Sequence, residues 1–167
     1  EYIGLKKKYP YLFPAQYPDS TWIKRQRDSI QTLLHAEIKN IFPSLSPIKT
    51  DLEDLYRHIK YYFPKVLDPH VVTVVNNVDY QSKTVFTDSL LIISLDTYLG
   101  SKNPIYEGIP NYIVKDMELP YMMSHIVDEL GNVVVKTPED RTLIAQMRYY
   151  GKKLYIKDLL LPSSSDE

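Results

Sequence analysis

Apolar side chains recur at Ile23, Ile30, Leu34, Ile38 and Ile41, and Pro43 ends the run, a pattern that predicts a long amphipathic helix over residues 21–42 with Ser20 as its cap. A second helix is better punctuated. Thr50 and Glu53 match a capping box, Leu52, Leu55, Tyr56, Ile59, Tyr62 and Phe63 keep the helical period, and Pro64 stops it. The texture then changes. VVTVV (71–75) and SLLIISL (89–95) are short and rich in β-branched residues, so both read as strands, with TVF (84–86) as a third. Asn76-Asn77 and Gln81-Ser82-Lys83 supply turn chemistry between them, which suggests a small meander whose apolar strand at 90–93 is covered on both faces.

After a loop at 100–110, Pro120 is placed to open a helix with Leu119, Met122, Ile126 and Leu130 on its buried stripe and Gly131 closing it. Thr137-Pro138-Glu139-Asp140 is a further N-terminal signature, and Leu143, Met147, Tyr150 and Leu154 line a last helix that runs to about Leu160. Helices on either side of a strand block predict an α+β fold, a small, mostly antiparallel sheet packed with several helices. Residues 1–20 carry three prolines without a period and read as an extended arm, with Tyr11, Leu12 and Phe13 docked on a single domain at 21–162; residues 163–167 form a tail.

Composition narrows the function classes. A length of 167 residues with 44% hydrophobic composition suffices for one sizeable core. Twenty Lys and Arg against 21 Asp and Glu leave a net charge of −1, so no global field draws the chain to nucleic acid, and no nucleic-acid partner is expected. The lack of cysteine removes disulfides, thiolate metal sites and a thiol nucleophile. No apolar run reaches the length of a membrane-spanning helix, and five glycines form no phosphate-cradling loop. Fifteen Tyr against four Phe and one Trp suit half-buried edges and contact faces.

The chemistry to weigh lies in YMMSHIVDEL (121–130). His125 and Glu129 are four apart, so they project from one face of a helix, much as two ligands do in the His-Glu-x-x-His helix of a zinc peptidase. There the residue after the first His is the base that activates the metal-bound water; here it is Ile126, which accepts no proton. His35, His58 and His70 have no spacing that marks a third ligand. The residues alone favour an ordinary His and Glu pair over an altered metal site, and both over a working peptidase; no cofactor is expected. Asp79, Asp88 and Asp96 match no EF-hand spacing and read as strand-end carboxylates that accept turn N–H groups.

The segments DYQSKTVFTDSLLIISLDTYLG (79–100), YIVKDMELPYMMSHIVDEL (112–130) and RTLIAQMRYYGKKLYIKDLLLP (141–162), with KYYFP at 60–64, follow one another in the order and spacing of a known family. In these the chain resembles the gliding-motility lipoprotein family GldB of Bacteroidota, over nearly its full length, and the family continues past residue 167. The resemblance implies a cell-envelope, periplasm-facing lipoprotein anchored through a lipidated cysteine outside these residues, needed for gliding and associated with type IX secretion. It implies no known reaction. The family in turn is distantly similar to zincin-type predicted zinc peptidases. On that likeness His125 matches the first ligand, Ile126 departs at the base and Glu129 departs at the second ligand, leaving a vestigial pair on a zincin-like scaffold. The expectation is a non-catalytic protein that contacts other gliding or secretion machinery proteins, with Tyr80, Tyr98, Tyr106 and Tyr112 as candidate interaction residues. The alternative is a zinc-dependent hydrolase with a degenerate metal-binding helix.

Overall fold

The structure is a computed structural model that describes residues 2–10, 13, 16–87 and 89–161. Its elements run α1 (Tyr2–Lys8), α2 (Asp19–Gln26), α3 (Ser29–Ile41), α4 (Ser46–Tyr62), β1 (His70–Val74), β2 (Thr84–Phe86), β3 (Leu90–Ser94), α5 (Asn111–Val114), α6 (Met122–Val134) and α7 (Leu143–Leu160). The fold is α+β. Tyr11 and Leu12 of the arm, Asp88 and the tail lie outside the described residues.

The arm is not wholly extended, because residues 2–8 form α1. Nor is 21–42 one helix. Arg27 leaves helical geometry, and the Asp28 side chain accepts the Ile30 N–H at 3.0 Å, so α3 has a strong cap of its own and the chain breaks between α2 and α3. Pro18, rather than Ser20, holds the cap position of α2. Helix α4 starts earlier than the capping box suggests, with Pro47 in its first turn and the Ser46 N–H donating to Ser44 Oγ at 3.2 Å. Inside that helix Thr50 Oγ1 donates to the Ser46 carbonyl and Glu53 pairs with Lys49. Both are surface contacts.

The sheet has the order β1-β3-β2 and is mixed, not a mostly antiparallel meander. β1 lies parallel to β3, with His70 beside Leu90 and Val74 beside Ser94; β2 lies antiparallel to β3, with Val85 opposite Ile92. The reason is the turn after β1. Asn77 and Val78 both take positive φ, and their segment carries the chain across β3 to its far side before β2 begins. Within the parallel ladder the His70 N–H donates to the Ser89 carbonyl at 2.9 Å. Alternation therefore turns the amides of Val71 and Thr73 to the outer side of β1, where no further strand lies among the described residues.

Leu91, Ile93, Thr84 and Phe86 share the buried sheet face, covered by α4 and α6. Ile48, Leu52, Leu55 and Ile59 come from α4, and Met122, Ile126, Val127 and Leu130 from α6. Burying side chains of this size stabilises the fold by about 1.5–3 kcal/mol each. A 3-10 turn at Leu119–Tyr121 holds Pro120 and feeds α6, but Leu119 itself is exposed. Gly131 does not close α6, which runs on to Val134; the stem of Lys153 lies across that glycine, with its Cε 3.2 Å from where a Cβ would stand. Helix α7 starts at Leu143, capped by Thr142, and its buried face is Ile156 and Leu160. The expected stripe of Leu143, Met147, Tyr150 and Leu154 points to solvent instead.

Candidate functional site

β3 runs without a loop into a tight turn, Leu95–Thr97, and Tyr98 follows it. Thr97 Oγ1 donates to the Ser94 carbonyl at 2.7 Å, fixing the turn, and Tyr98 is thereby directed into the core with 1% of its surface exposed. Its hydroxyl lies 2.9 Å from Nδ1 of His125 on α6, with the rings 5.8 Å apart. Burial raises the Tyr98 pKa and pushes that of His125 down to about 4; Lys83 lowers the latter further, against the opposing charge of Asp128. Both rings are therefore neutral near pH 7. A phenol is a stronger acid than an imidazole N–H, so Tyr98 donates and Nδ1 accepts, which leaves the ring proton on Nε2.

Charged groups of both signs surround this pair. Lys83, just before β2, is half-buried and its pKa is lowered by desolvation against the opposing pull of Asp116. Asp128, one turn along α6, meets Lys157 of α7 at 2.8 Å. Glu129 is half-buried, and its Oε2 lies 3.4 Å from Nδ2 of Asn132. Ile126 is fully buried between Met122 and Leu130 on the core side of α6, so the position of a zincin base faces packed hydrocarbon.

Asp96 anchors the other end of the same turn. It is fully buried, and its Oδ2 accepts from the Asn76 N–H at 2.9 Å and the Val78 N–H at 2.7 Å. This is the role expected of a strand-end carboxylate, and it holds the two residues with positive φ. Desolvation raises its pKa, against these hydrogen bonds. Nearby, the Tyr106 hydroxyl donates to the Asp96 carbonyl at 2.9 Å and accepts from the Leu99 N–H at 2.8 Å. Asp79 instead accepts from the Gln81 N–H in its own turn.

A zinc ion, which the zincin likeness implies, does not fit this set. No group of three His, Cys, Asp or Glu side chains among the described residues is placed to hold an ion, so His125 lacks the companion ligands a zinc site needs. With a pKa near 4 the imidazole is also a poor general base at neutral pH. What the cluster does is lock β3, the 95–98 turn and α6 together.

The family profile described as Gliding motility protein GldB matches residues 2–167. The chain belongs to the GldB family. No curated protein and no solved structure matches it. Of the four tyrosines expected at a contact face in this GldB-family chain, Tyr98 and Tyr106 are core residues, Tyr80 is half-buried and packed against the core, and only Tyr112 stands open, with 71% exposed. Sequence reasoning missed Lys83 and Asp116, which lie 33 positions apart and join only through the fold. It also missed that Tyr98 is the partner of His125. No spacing rule connects the first pair; for the second, the sole sign was an aromatic residue a few positions past the strand end.

Proposed function

We propose that this chain is a non-catalytic component of the gliding apparatus at the cell envelope, held there by a lipid anchor, associated with type IX secretion and acting by contact with other proteins of that apparatus. The observation that carries the reading is the family match across residues 2–167. Its non-catalytic part is supported by chemistry: an aliphatic side chain follows His125, and the imidazole is committed to a phenol inside the protein. On this reading α6 is the counterpart of a zincin ligand helix, reused for packing. No described helix is long and apolar enough to cross a membrane, which agrees with attachment by a lipid. The near balance of charge favours protein over nucleic-acid partners. Tyr112 and Tyr80 are the contact residues among the tyrosines.

The test replaces the gene in its own bacterium. Deletion abolishes colony spreading, His125→Ala restores it, and a photo-crosslinker at position 112 captures a gliding or secretion component. Normal spreading of the deletion strain, or chelator-sensitive peptide cleavage by the pure protein that His125→Ala abolishes, overturns the proposal.

A further inference from the structure

Helix α7 is apolar on two faces, and the described residues cover only one of them. Ile156 and Leu160 pack inward against the core, while Leu143, Ile144, Met147, Tyr150, Leu154 and Tyr155 are each between 59% and 75% exposed. Within that outer row the positions 143, 147, 150 and 154 step by four, three and four residues, the spacing that keeps one seam of a helix facing another helix over several turns. A flat β-face sets no such register.

Gly151 stands in the middle of the same row. A glycine inside a helix is destabilising by roughly 0.5–1 kcal/mol relative to alanine, and this one has ordinary φ and nothing within 4 Å of the place its Cβ would occupy. No contact among the described residues accounts for it. Close approach of a second helix backbone at this point does, since a missing side chain lets two helices come together.

Charge selects the partner. Arg148 and Lys152 border one side of the row, and Lys153 and Lys157 the other. Lys157 is paired with Asp128 and Lys153 donates to Asn132, but neither Arg148 nor Lys152 makes an ion pair among the described residues. Of the nearby acids, Glu139 meets Lys136, and Asp140 accepts from Thr142. Asp158, towards the C-terminal end of the row, is the only carboxylate on the helix itself. A second copy of α7 would bring like charges together, whereas acidic flanks complement it.

We infer that the open face of α7 docks an amphipathic helix with acidic flanks supplied by another protein. This rests on the reading of the chain as one that works by contact, and names a surface for it. The seam residues Met147, Tyr150 and Leu154 fill the partner's holes, Gly151 sets the closest approach, and Arg148 and Lys152 fix which helix is accepted.

The probe is a synthetic three-heptad helix with leucine in the seam and glutamate in the flanking positions, compared with its lysine-flanked twin by fluorescence anisotropy on the full-length protein. The acidic helix binds at least ten-fold more tightly. Gly151→Leu weakens it ten-fold or more without lowering the thermal midpoint, because leucine is the better helix former. The double change Arg148→Glu with Lys152→Glu shifts the preference toward the lysine-flanked peptide. Equal binding of both peptides, no binding of either, or a Gly151→Leu variant that binds as well as the parent overturns the inference. So does a dimer that Met147→Glu dissociates, which assigns the face to a second copy. Attachment to phosphatidylglycerol vesicles without peptide binding assigns it to lipid. Any of these leaves the motility test of the contact role standing, and a gliding deletion strain leaves the peptide test standing.

Discussion

The hydroxyl of Tyr98 lies 2.9 Å from Nδ1 of His125, joining the end of β3 to the middle of α6 inside the protein. The contact is a packing device between the two elements. A ring whose pKa falls from 6.5 to about 4 on folding stays neutral in the native state and takes up a proton more readily once unfolded. Its contribution is full above pH 6.5 and is lost as the pH falls through that window toward 4. Urea denaturation is expected to show stability declining by on the order of 1 kcal/mol from this group, well short of the full linkage because the ring is partly solvated. His125→Phe flattens that part of the profile. Tyr98→Phe costs about 1 kcal/mol and raises the His125 pKa read by NMR, since Nδ1 loses its donor; unchanged titration would mean that the contact has no such role.

A carboxylate placed at position 126 is expected to break the protein before it supplies any chemistry. Ile126 is fully buried among Met122, Val127 and Leu130, so Ile126→Glu places an unpaired carboxylate in hydrocarbon and costs roughly 3–5 kcal/mol. Ile126→Val costs only about 1 kcal/mol. Thermal unfolding of the two variants distinguishes this from a site that accepts the glutamate, which would keep the parental midpoint.

The Asp96 carboxylate holds a strained turn, and its loss frees two amides at once. Asp96→Ala leaves the N–H groups of Asn76 and Val78 without their acceptor and is expected to cost about 3 kcal/mol. Asn77 sits at φ 54°, so Asn77→Val costs roughly 1–2 kcal/mol through a backbone region that a β-branched residue avoids. Equilibrium unfolding of both variants checks the pair; a neutral Asp96→Ala would show that the turn is held by other contacts.

Helix α7 reverses the ordinary sense of an apolar stripe. Met147→Lys is expected to change stability by no more than about 0.5 kcal/mol, while Ile156→Ala, on the covered face, costs about 3 kcal/mol. Chemical denaturation of the isolated variants decides which face the fold uses.

How far the sequence could be read follows from where its information was local. The period of Leu52, Leu55 and Ile59 placed α4 and marked its core residues, and the short β-branched run placed β3, because each pattern lies within one element; the continuous apolar run at 90–93 suggested cover on both faces, whereas Leu91 and Ile93 are buried and Leu90 and Ile92 only half-buried. The break at Arg27-Asp28 was hidden by an unbroken apolar period, yet one capping carboxylate was enough to divide the helix. The parallel pairing of β1 was hidden for a different reason: turn residues between two strands look the same whether the chain folds straight back or passes over a third strand. On α7 the period was right and its direction wrong. A row of apolar residues states that something covers it, and composition alone does not say whether the cover is the same domain. Around His125 the pair spacing was visible from the start, but its partner Tyr98 lies 27 positions away, and only the fold brings them together.

The outer side of β1 carries one last consequence. With the His70 amide turned inward and those of Val71 and Thr73 turned to solvent, deuterium uptake along this strand is expected to alternate, fast at 71 and 73 and slow at 72 and 74, although the four residues share one backbone conformation. The strand thus presents two clocks, one set by water and the other by the opening of the sheet.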